Sequence, residues 1–131
     1  MPRVAAAFFL TAALFLLGGM FVGLWMGVHQ DFRLAPAHAH INLVGWVTMA
    51  LYGTFYALTA KTMQPKLAWT HYGVATLGAA IQGPALGAMI LNGEKPWLTI
   101  LSIGEHITAL ALLIFLYAAF REAVRARPSA E

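Results

Sequence analysis

Four apolar stretches, each long enough to cross a bilayer and separated by only a few residues, leave this chain one kind of fold. A helix needs about 20 mostly apolar residues to span hydrocarbon. Residues 4–28, 36–60, 67–92 and 96–120 each meet that length. The connecting segments read HQDFRLA, KTMQPK and NGEK. They leave no room for a second domain, so the 131 residues form a single transmembrane domain. The expected fold is all-α, an integral membrane four-helix up-and-down bundle. Composition agrees, with 60% of residues hydrophobic, 10% charged and a mean hydropathy of +0.72. Soluble domains run nearer one quarter charged.

Lys and Arg give the orientation. With both termini cytoplasmic, the inner side carries Arg3, Lys61, Lys66, Arg121, Arg125 and Arg127, and the outer side only Arg33 and Lys95. Six against two is the bias expected of cytoplasmic loops. The net charge of +3 is thus a topology signal, and it does not point to nucleic acid. The first apolar run is longer than a signal-peptide core and is read as a span. The final RPSAE reads as a frayed tail. With no cysteine, disulfides, thiolate metal sites and thiol catalysis are excluded.

Helices in lipid associate through small residues and buried polar groups. Gly19, Gly23 and Gly27 form a four-residue ridge on the first span. In the third, Gly83, Pro84 and Gly87 predict a kink or a close contact. The second span divides into two faces. Asn42, Gly45, Met49, Tyr52 and Tyr56 follow His38, whereas Val44, Val47, Leu51 and Leu58 follow His40. Residues two apart on a helix point about 200° apart, so His38 and His40 serve different neighbours. His38 lies along a polar seam suited to water, an ion or a polar network. His40 lies along an aliphatic seam suited to a large planar apolar cofactor. Pro36 favours a helix start there, and the positive end of the helix dipole favours neutral imidazole, the form that ligates metal.

The other histidines each have a structural reading too. His29 reads as a solvated residue at the outer end of the first span, and His71, near Lys66 and Trp69, as an interfacial residue at the inner end. His106 lies about 15 Å into the fourth span at 1.5 Å per residue, with Thr99, Ser102, Leu113 and Tyr117 along its face and Glu105 beside it. Ionisable groups at such depth are expensive and usually functional. Glu105 is therefore expected to be protonated, paired or facing a wet cavity.

The segment HAHINLVGW…YGTFY resembles one helix of the catalytic subunit of haem–copper oxidases, in particular the C-family enzymes and their nitric-oxide-reductase relatives. The matching positions are His38, His40, Gly45, Trp46, Gly53 and Tyr56. The resemblance implies that His38 would ligate a high-spin haem iron and His40 a low-spin one. It also implies that a small four-helix chain imitates, as a homotrimer, the three four-helix arcs of that subunit. The copper-site histidine run and its tyrosine have no counterpart here, so a complete oxygen-reducing centre is not expected.

Three functions follow. One is a b-type haem protein in electron transfer, gas binding or haem handling. In it His40 is the axial ligand, His106 or a neighbouring subunit's histidine the second ligand, Trp46 and Phe55 pack the porphyrin, and Arg33 meets a propionate. Another is a copper or zinc site built from His29, His38 and His106, with Met20, Met26 and Met49 as soft ligands. The last is a cofactor-free structural or assembly subunit. Expected partners are the lipid bilayer, further copies of the chain and a redox partner, and the expected location is a bacterial cytoplasmic membrane.

Overall fold

The computed structural model describes residues 1–125; Arg127 and the RPSAE tail lie outside the described residues. Four helices carry the chain: α1 (Arg3–His29), α2 (Ala35–Leu58), α3 (Pro65–Asn92) and α4 (Trp97–Arg125). All four are long and apolar enough to cross a membrane. In hydrocarbon every backbone N–H and C=O must find a partner within the chain, which the helix supplies. The limits follow local chemistry. Pro36 and Pro65 stand in first turns, where a missing N–H costs nothing. Gln30 ends α1 in the left-handed region (φ 52°) and its side-chain amide donates to the Gly27 carbonyl at 2.6 Å. Gly93, at φ 91°, ends α3. The fourth helix runs five residues beyond the expected 120, to Arg125, whose guanidinium reaches the Thr62 carbonyl at 3.4 Å.

Inside α2, Ile41–Thr48 form π-helical turns immediately after the two histidines. The apolar periodicity gave no sign of them. Such turns use i→i+5 hydrogen bonds and cluster at functional sites.

Small residues set the packing, as lipid requires. A Cβ on Gly19 would collide with the Asn42 side chain, and one on Gly23 would meet the His38 ring at 3.1 Å. Two members of the α1 ridge thus seat the polar seam of α2, while Gly27 faces open space. Gly83, beside Pro84, receives Ile41, so the expected close contact in α3 is present. Between α3 and α4 the fit is reciprocal: Gly78 receives Thr108 and Gly104 receives Gln82. The arrangement is less symmetric than an even bundle. The helices α1, α2 and α3 contact one another, whereas α4 lies along α3. Phe115 of α4 reaches Tyr52 and Phe55, with centroids 4.6 and 5.1 Å away. Phe8 stacks on Tyr56 at that same level, with His71 tilted against both, so the start of α1 and the end of α4 share one end of the bundle.

Candidate functional site

Polar groups gather at two places. At the end of the bundle that holds the α1–α2 connection, His38 and His40 occupy the first turns of α2. A carbonyl oxygen only accepts hydrogen bonds, so a ring nitrogen facing one must carry the proton. His38 Nδ1 donates to the Gly19 carbonyl at 2.9 Å, and His40 Nδ1 donates to the Pro36 carbonyl at 3.0 Å. Each Nε2 is thereby left with the lone pair. The two differ in what happens to it. The Asn42 amide lies 3.3 Å from both His38 ring nitrogens and donates to the His38 carbonyl at 2.9 Å. His38 is wedged between Asn42 and the glycine ridge, on the polar seam expected of it. Its neighbour His40 is half-buried, and Pro36 is its one hydrogen-bond partner among the described residues. Val44, Val47 and Leu51 follow it along α2, half-buried or exposed, with Trp46 at 39% exposure. This face is apolar and points away from the chain's own core.

The remaining sequence candidates are scattered. His29 stacks on Trp25 with centroids 4.7 Å apart and donates from Nδ1 to the Trp25 carbonyl. Arg33 grips Asp31, with Nη2 2.6 Å from Oδ2 and Nε 3.0 Å from Oδ1, so a propionate would have to compete with that carboxylate. Bonding to the guanidinium holds the Asp31 carboxyl at about 2, below the ordinary 3.8, and raises Arg33. His106 donates from Nδ1 to the Ser102 carbonyl at 2.7 Å and is exposed, as is Glu105. Neither points into a cavity of this chain. Among the described residues no three His, Asp or Glu side chains come together as a metal would need. His29, His38 and His106 therefore do not assemble a copper or zinc ligand set within one chain.

At the opposite end lies a group whose neighbours in sequence misplace it. His71 is not a solvated interfacial residue; it has no exposure at all. Its Nδ1 is 3.0 Å from the Tyr56 hydroxyl, while Nε2 is buried without a partner. Phe8, Tyr52, Tyr56 and Phe115 surround the ring at centroid distances of 4.4–5.8 Å. The interfacial expectation rests on nearby Lys66 and Trp69, and the helix face overrides it. Ala68, His71, Ala75, Gly78 and Gln82 recur at steps of three and four and are all buried, which puts His71 on the packed side of α3. With Tyr56 it forms a sealed phenol–imidazole pair.

An apolar cleft of about 510 Å³ lies between α1, the π turns and α3, lined by Leu14, Phe15, Gly18, Val22 and Ile41 among others. It falls within the size range of ligand pockets, but none of the five histidines lines it. Comparison with known proteins finds no family whose model matches the chain, no matching curated protein and no matching solved structure.

Proposed function

We propose that this membrane protein binds a b-type haem through His40 Nε2 and serves in electron transfer, gas binding or haem handling. The observation that carries the reading is the bond from His40 Nδ1 to Pro36 at 3.0 Å. A ligating histidine characteristically gives its other ring N–H to a carbonyl, which sets the tautomer and the ring orientation. The residues present fit the group. A half-buried imidazole whose Nε2 meets no described residue is followed along α2 by the apolar, part-exposed Val44, Val47 and Leu51 and by Trp46. When bound, haem supplies one-electron chemistry if two axial ligands hold it, and gas binding if one position stays open. His40 Nε2 would hold the group, and Val44, Val47 and Trp46 would help to keep water from it.

His29 and His106 carry the same Nδ1-to-carbonyl bond, but His29 is engaged by Trp25 at the end of α1, and His106 stands on the outer side of α4. A histidine of another copy, or a gas, would complete the ligand set. Assembly of more than one copy, cytoplasmic termini and a bacterial cytoplasmic membrane belong to the same proposal. They rest on the oxidase-like motif around His38 and His40 and on the six-to-two distribution of Lys and Arg.

The test is optical. The protein, extracted in mild detergent after haem-supplemented expression, should show a Soret band, and a pyridine haemochrome assay should identify haem b. His40→Ala should abolish the band and His38→Ala should retain it. A featureless spectrum of the unaltered protein overturns the proposal, and copper and zinc analysis then separates a metal protein from a cofactor-free subunit.

A further inference from the structure

The outer side of α4 presents an ionisable pair where hydrocarbon should be. In its most apolar stretch 17% of residues are buried, against 28–33% for the other three helices, so α4 is the least covered span. Leu101, Gly104, Ala111 and Ala118 form its packed side. On the opposite side Ser102, His106, Ala109, Leu113, Leu116 and Phe120 recur at alternating steps of four and three. Leu113, Leu116 and Phe120 are 61–65% exposed, and His106 and Ala109 are exposed as well. That alternation is the seam of a left-handed helix pair. Ionisable side chains within a span almost always face a bundle interior or a water-filled cavity, and they pair with one another. Glu105 and His106 face neither in this chain, and adjacent residues on one helix point about 100° apart and cannot pair.

We infer that a second copy of this chain covers the seam, the two α4 helices running parallel, with His106 of each copy paired to Glu105 of the other. The complementarity is built into the patch. Parallel copies about an axis along the membrane normal hold equivalent residues at equal depth. A side chain on the seam inserts among four residues of the facing helix, and for His106 the residue preceding its counterpart, Glu105, is one of the four. An acid and a base side by side therefore meet reciprocally, which is the self-complementary contact of an isologous interface. Ala109, one turn further, lets the helices approach closely. The inference is independent of the haem proposal, since it uses neither His40 nor its apolar face.

The chain has no cysteine, so an introduced one reports without background. Leu113→Cys, oxidised in native membranes, should give a disulfide-linked product of twice the chain's mass as the main species. Leu24→Cys, equally exposed at 62% but on α1, should remain mostly monomeric. Leu116→Cys is the alternative reporter should the first variant fail to accumulate. Adding Glu105→Gln to the reporter should lower the cross-linked yield at least threefold, and the exchange Glu105→His with His106→Glu should restore it. Equal yields from the α4 and α1 reporters overturn the interface, as does a product whose added mass is not that of this chain. An unchanged yield in Glu105→Gln, or an exchange that fails to restore it, overturns the reciprocal pair.

Discussion

At one end of the bundle His71 has zero exposure, a tyrosine on one nitrogen and four aromatic rings around it. At the other, His40 holds its Nδ1 against Pro36 and keeps Nε2 free beside an apolar, outward-facing surface. Both are imidazoles on membrane-spanning helices, and depth or neighbours in sequence do not separate them. What separates them is the partner of the remaining ring nitrogen. His71 Nε2 is buried with no hydrogen-bond partner among the described residues, whereas His40 Nε2 is part-exposed and met by none of them. His38 sits between these extremes, its ring held between the Gly19 carbonyl and the Asn42 amide. Residue type announces a candidate ligand; access to one atom decides whether it can ligate.

The sharpest way to break this contrast is to truncate both residues. His40→Ala should remove the haem spectrum entirely while changing stability little. His71→Ala should leave the spectrum intact yet lower unfolding stability in detergent by about 3 kcal/mol, the scale of emptying a buried site. A haem spectrum that disappears with His71 and survives without His40 would invert the assignment. Next in size comes the ridge that supports His38. Gly19→Ala drives a methyl into Asn42 and should cost about 1–3 kcal/mol, whereas Gly27→Ala enters open space and should be neutral or slightly stabilising. Equal effects in thermal unfolding would show that the ridge acts as one unit. Tyr56→Phe leaves His71 Nδ1 without its hydrogen bond and should cost about 1–3 kcal/mol, the penalty for an unsatisfied buried polar atom.

The smallest effect belongs to the exposed Asp31–Arg33 pair near His40. Because Asp31 titrates at about 2 in the folded chain rather than 3.8, its contribution is present above pH 3.8 and lost as pH falls toward 2. Asp31→Asn should therefore lower the unfolding temperature slightly at neutral pH, with the difference from the unaltered protein closing between pH 3.8 and 2. A loss that persists unchanged at pH 2 would mean that Asp31 acts through something other than its charge.

Much of the architecture was legible because bilayer thickness imposes a length on every span, and four runs of that length leave little choice. The glycine steps of α1 and the Gly83–Pro84 contact were legible because lipid rewards close approach of small residues. The two-faced character of α2 was legible from the i, i+2 spacing of its histidines. The site was legible only as types of residue. Which nitrogen of His38 is engaged depends on the Gly19 carbonyl meeting the ring at the α1 surface, a tertiary fact. The seclusion of His71 depends on Phe8, 63 residues earlier, and Phe115, 44 later. The asymmetric place of α4 reflects the reciprocal glycine contacts it makes with α3, which periodicity within one helix does not specify.

The π turns at Ile41–Thr48 have a consequence for the phase of α2. An i→i+5 turn holds one residue more than an α turn, so the histidine turns and the tyrosine turns of one helix are joined by a rotational offset. Removing a residue from that stretch would restore the α repeat and swing His38 and His40 by about 100° relative to Tyr52 and Tyr56. The ridge would then receive a different side chain and His40 would leave its outward face. The second span thus works as two differently phased segments, and the length of the piece between them sets which imidazole the bundle keeps and which it offers to the membrane.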